Sequence, residues 1–90
     1  MMKYTILVVE DEIDLADMIK YNLVQEGYSV VVVNNGADAL SHMKHNDAPD
    51  LALVDLMLPD TSGFDICRKI KSLPKTQNTS IIIVTAKSDE

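Results

Sequence analysis

A single cysteine in 90 residues, Cys67, rules out a disulfide framework and makes a reducing compartment the expectation. Basic charge is scarce too. Eight Lys and Arg stand against fourteen Asp and Glu, and the net charge of −6 has the wrong sign for gripping a phosphate backbone. Direct nucleic-acid binding by this segment is therefore not expected. Long hydrophobic runs are missing as well: the N-terminal apolar run, Tyr4 to Val9, meets acid at once and is too short for a signal-peptide core or a membrane span. No membrane association is expected, and the cytoplasm is the expected location. Neither repeats nor low-complexity stretches interrupt the chain. At 47% hydrophobic content the 90 residues suffice for one small domain with one core.

What is present is an alternation. Four short apolar runs, "YTILVV" (4–9), "YSVVVV" (28–33), "LALVD" (51–55) and "SIIIVT" (80–85), are rich in β-branched residues and nearly continuous, the pattern of parallel strands buried on both faces. Helical periodicity fills the intervals. In 13–26 the residues Leu15, Met18, Ile19, Leu23 and Val24 recur three and four apart, and Gly27 stands where a left-handed cap would end the helix. Residues 37–45 carry a shorter stripe, Ala39, Leu40 and Met43; residues 63–72 carry Ile66, Cys67 and Ile70 behind Ser62 and Asp65, which have capping-box spacing. Met18 and Met43 are expected in the core. The order β-α-β-α-β-α-β predicts an α/β doubly wound parallel sheet with helices on both faces, whose ligands bind beyond the carboxyl ends of the strands.

Acids and hydroxyls fall at those ends. Glu10 and Asp11 follow the first strand, Asp55 closes the third and Thr85 closes the fourth. If strands one and three are neighbours, the three carboxylates form an incomplete oxygen cage suited to Mg²⁺, or Mn²⁺ in its place, which keeps several waters and accepts phosphate oxygens. Such a cation lets a carboxylate act as nucleophile toward a phosphoryl group, giving an aspartyl phosphate. Thr85 offers a hydroxyl to a phosphoryl oxygen, and the small Ala86 leaves its backbone N–H accessible for another.

The segments "ILVVEDE", "LALVDLMLPDTSGFD" and "IIIVTAK" resemble the receiver domain of two-component response regulators, the CheY-like fold, over the whole chain and with all three motifs in register. The resemblance implies a sheet order 2-1-3-4-5. It makes Asp55 the phosphoacceptor, taking phosphate from a phosphohistidine on a sensor histidine kinase or phosphotransfer protein. Asp11, Asp55 and the backbone carbonyl of Met57 would be direct metal ligands, with Glu10 acting through water. Thr85 would be the hydroxyl switch, Pro59 and Gly63 would shape the loop after strand three, and Met57 and Lys87 would tune phosphate lifetime. Family members continue through a fifth strand bearing a lysine, so 1–90 reads as a receiver domain incomplete at its C-terminus, truncated after the fourth strand. In that reading "SIIIVT" is an open, uncharged edge, and such a chain is expected to dimerise through it, swap elements, or stay loosely folded until partnered.

Other readings are weaker. A haloacid-dehalogenase-type phosphatase needs a second acid two residues after the nucleophile, where this chain has Met57. A flavin carrier of similar topology needs a phosphate cradle after strand one, where "EDEID" would repel it. No turnover enzyme is expected; a receiver-like interaction module that takes no phosphate is the alternative, and an attached transcriptional output the expected context. His42 and His45 read as a solvated helix face, Cys67 as a small core residue, and Asp14, Asp17, Asp60 and Asp65 as surface or capping residues.

Overall fold

The computed structural model describes residues 3–84. Four strands, β1 (Thr5–Val9), β2 (Ser29–Val33), β3 (Leu51–Asp55) and β4 (Ser80–Val84), alternate with α1 (Ile13–Gln25), α2 (Gly36–His45) and α3 (Gly63–Ser72). All pairings are parallel and the order is β2-β1-β3-β4, so β1 and β3 are neighbours as the site requires. Val9 pairs with Val33 on one side and Val54 on the other, which brings the ends of the three strands level.

Alternation along the strands divides the apolar residues between two faces. Leu7, Val9, Ala52 and Val54 pack with Ala39 and Met43 of α2 and Ile66 and Ile70 of α3 in one buried cluster. Cys67 is half-buried against it, and burial pushes its thiol pKa up. Ile6 and Val8 point the other way and are buried, as is Ala16 of α1. Met18 departs from expectation, with 56% of its surface exposed. At about 100° per residue, Leu15, Ala16, Ile19 and Leu23 share an arc of roughly 100°, and Met18 and Val24 lie about 120° to either side of its centre. Spacing alone put Met18 in the stripe; its angular position takes it out.

The helix ends explain the boundaries. Gly27 has φ 97°, and its amide donates to the Val24 carbonyl while that of Tyr28 donates to Leu23, a Schellman motif that only a residue tolerant of positive φ completes cheaply. Asn35 caps α2: its side chain accepts from the Asp38 amide at 2.8 Å, and its own amide group donates to the Asp38 carboxylate at 3.1 Å. Ser62 caps α3 through the Phe64 amide at 3.1 Å. The expected box with Asp65 does not close, because that carboxylate is taken by Arg68 and by the Thr61 hydroxyl.

Among the described residues β4 has one neighbour, β3, and Ile82 exposes 51% of its surface. No helix among them is long and apolar enough to cross a membrane.

Candidate functional site

The parallel pairing of β1 with β3 sets Glu10, Asp11 and Asp55 together at the carboxyl edge of the sheet, with one oxygen from each within 4.8 Å of the others. Opposed ligands around an octahedral Mg²⁺ stand about 4.2 Å apart, so this all-oxygen donor set has the chemistry and approximate spacing of such a site. The three differ in exposure: Glu10 is 5% exposed, Asp55 half-buried and Asp11 open to solvent.

Two of the three carboxylates, Glu10 and Asp55, are fixed by backbone around them. Glu10 donates its amide to the Val33 carbonyl at 3.0 Å, receives the Asn34 side-chain amide on its carbonyl at 2.9 Å, and accepts the Glu12 amide on Oε2 at 3.1 Å. Asp55 pairs with Val84, and its Oδ1 accepts the Met57 amide at 3.2 Å. Beyond it the chain doubles back: Gly63 donates to the Leu56 carbonyl at 2.8 Å and Leu58 to that of Thr61 at 3.3 Å. These bonds bracket Met57 and Ser62 as a non-hydrogen-bonded antiparallel pair. In such a pair both backbone groups face away from the partner strand. The Met57 N–H therefore points to the side that holds the Asp55 carboxylate, consistent with its bond to Asp55 Oδ1. The Met57 side chain is 69% exposed.

Burial, foremost, together with the charges of Asp55 and Asp11, pushes the Glu10 carboxyl up to about 6; the Glu12 amide opposes the shift. A carboxyl with a raised folded-state pKa is least costly when neutral. Its penalty is absent below the unfolded value, 4.5, grows as pH rises between 4.5 and about 6, and is complete above, at about 2 kcal/mol. Glu10→Gln is accordingly expected to be more stable than wild type by about 1–2 kcal/mol at pH 7.5 without metal, with the gap closing by pH 4. Urea titrations at the two pH values check this; a gap that persists at pH 4 would contradict it.

Thr85 and Ala86, with Lys87, lie outside the described residues. Pro59 and Gly63 lie in the doubling-back segment, as expected. His42 and His45 join no ligand cluster among the described residues; His45 Nδ1 lies 2.8 Å from the Ser41 carbonyl oxygen. The expected cage thus assembles, and two supports appear that the sequence reading did not single out. One is Asn34, which holds the Glu10 carbonyl. The other is Asp60, whose two oxygens accept the Gly36 and Ala37 amides at 2.8 and 2.9 Å, holding its own carboxyl below the ordinary range. Asp60 was expected as a surface or capping residue; that its partners are the first amides of a helix 24 positions earlier is visible only in three dimensions.

Comparison with known proteins agrees with this geometry. The family model for the response regulator receiver domain matches residues 6–90. The phosphate regulon transcriptional regulatory protein PhoB of Rhizobium meliloti (strain 1021) is 39% identical over 85 residues, which are 94% of this chain and 37% of that protein. The signal receiver domain of a signal transduction histidine kinase from Syntrophus aciditrophicus superposes with a TM-score of 0.87 at 32% identity, covering 96% of this chain and 64% of that one. The phosphorylated cyanobacterial phytochrome response regulator RcpA does so with 0.88 at 25% identity, covering 98% and 69%. The chain thus spans little more than a third of the curated relative and just under two thirds of the first of these structures.

Proposed function

The chain belongs to the response regulator receiver domain family, and from that membership we propose that Asp55 accepts a phosphoryl group from a phosphohistidine of a sensor histidine kinase or phosphotransfer protein. The observation that carries the reading is the meeting of Glu10, Asp11 and Asp55 oxygens within 4.8 Å at the end of β3, where solvent and a donor can reach Asp55. In the transfer an Asp55 carboxylate oxygen attacks phosphorus, the P–N bond breaks, and its electron pair leaves with the imidazole, which takes up a proton. Asp11, Asp55 and the Met57 carbonyl would hold Mg²⁺, with Glu10 behind them. When bound, the ion neutralises charge on the phosphoryl oxygens. The Met57 amide holds one Asp55 oxygen in place, leaving the other free to attack. Thr85 and the Ala86 amide are the proposed partners of the phosphoryl oxygens.

The module would switch a protein-interaction face rather than turn over substrate: Met57 stands where a phosphatase of related chemistry needs its acid, so acceptance and slow self-dephosphorylation are the whole of the proposed chemistry. A transcriptional output is proposed for the whole protein, since the named relative is a transcriptional regulator. Mg²⁺ alone is expected to shift the amide resonances of residues 10–12 and 55–58 in an ¹⁵N-correlation spectrum, and beryllofluoride, a phosphoryl mimic, to add a further shift there only when Mg²⁺ is present. An unchanged spectrum would favour an interaction module that takes no phosphate.

A further inference from the structure

The start of α2 touches both halves of the acid site without supplying a ligand to either. On one side Asn34, the residue between β2 and the α2 cap, donates its side-chain amide to the Glu10 carbonyl at 2.9 Å. On the other, the first two amides of α2, Gly36 and Ala37, are held by both oxygens of Asp60, in the loop that carries Met57 away from Asp55. The fit there is close: a Cβ on Gly36 would overlap the Thr61 methyl group and stand 3.2 Å from Asp60 Oδ1. Residues 58 and 61 close the same loop on itself. A continuous set of bonds therefore runs from the Glu10 backbone through α2 to the segment that orients the Asp55 carboxylate.

We propose that Asp60 and Asn34 are positioning residues which tie the Asp55–Met57 segment and the Glu10–Asp11 pair to one anchor, the first turn of α2, and so fix the spacing of the oxygen cage. The inference rests on the reading of that cage as a divalent-cation site. Helix amides bonded by a carboxylate are a strong anchor, since charge-assisted bonds and the helix dipole act together. Without Asp60 the loop keeps its own turn but loses its reference to the rest of the sheet edge, and a rigid cage becomes an adjustable one. Outer partners of metal ligands commonly matter for affinity at the level of tenfold or more.

The test compares Asp60→Ala and Asp60→Asn with Thr79→Val in the intact protein. Thr79 is buried at the opposite end of the sheet, where its hydroxyl donates to the Pro49 carbonyl at 2.8 Å, so its loss destabilises without touching the site. Mn²⁺ affinity, read by electron paramagnetic resonance of the free ion, is expected to fall about tenfold in Asp60→Ala and less in Asp60→Asn, which keeps one acceptor. Thr79→Val should bind as wild type does. In parallel, metal-free amide exchange at Met57 and Leu58 should quicken in Asp60→Ala beyond its quickening in Thr79→Val, and Asn34→Ala should do the same at Asp11. Equal effects of Asp60→Ala and Thr79→Val in both measurements overturn the inference. If wild type holds no Mn²⁺, the cation reading fails, and the exchange rates alone decide whether Asp60 and Asn34 position the edge.

Discussion

Given Mg²⁺ and a small-molecule acyl phosphate, the intact protein should take up one phosphoryl group, on Asp55, and Asp55→Asn should reduce incorporation to background. Three carboxylates share the site, and the structure distinguishes them. Glu10 is only 5% exposed, so an incoming phosphodonor cannot approach its carboxylate. Asp11 is open to solvent, and the described hydrogen bonds hold neither of its oxygens in line. Asp55 alone combines a strand end, partial burial and an amide that orients one oxygen. The linkage formed should be an acyl phosphate, labile to base and to hydroxylamine, whereas an ester on a hydroxyl such as that of Thr85 survives hydroxylamine. Asp11→Asn should weaken the reaction by removing a metal ligand without relocating the label. Mass spectrometry of hydroxylamine-treated peptides checks the site; label retained in Asp55→Asn would defeat the assignment.

Why so much of this is legible in the sequence follows from what each feature depends on. The strands depend on residues adjacent in the chain: "SVVVV" and "TILVV" have little alternative to a doubly covered sheet, and the observed strands lie within one residue of those expected. The acid cage depends on one further inference, that strands one and three are neighbours, which a doubly wound topology supplies. What escapes depends on angles or on distant partners. Met18 has the spacing of a core residue and the wrong azimuth. Asp65 has the spacing of a box, but Arg68 and Thr61 compete for its carboxylate. Asn35 and Asp38 form a reciprocal cap that the spacing Asn-x-x-Asp does advertise, though with Asp in place of the longer Glu. Asp60 advertises nothing, because its partners are amides, present at almost every position of any chain.

Gly63→Ala should destabilise the fold by about 3 kcal/mol, although Gly63 is the first residue of α3 and replacing glycine by alanine in a helix ordinarily stabilises by up to about 1 kcal/mol. Space decides the sign. A Cβ built on Gly63 would overlap the Asp55 carbonyl oxygen and stand 2.9 Å from Leu56 Cα and 3.0 Å from the Asp55 carbonyl carbon. All three are backbone atoms, so no rotamer change relieves the contact. They are also held from both sides, since Gly63 donates to Leu56 and Leu56 donates to Val84 of β4. The chain must either push Asp55 off the end of β3 or lift the start of α3 and break the Gly63–Leu56 bond. Gly27→Ala provides the contrast: no atom lies within 4 Å of its Cβ, and only the positive φ opposes it, at about 1 kcal/mol. Urea denaturation of the two variants should therefore rank Gly63→Ala well below Gly27→Ala, with unchanged m-values. Gly63→Ala should also loosen the Met57–Asp55 contact, so that its divalent-cation affinity falls while that of Gly27→Ala, at the far end of α1, does not. A Gly63→Ala protein as stable as wild type would show that the Asp55 backbone yields freely, and a site that depends on its rigidity could not then be built on it.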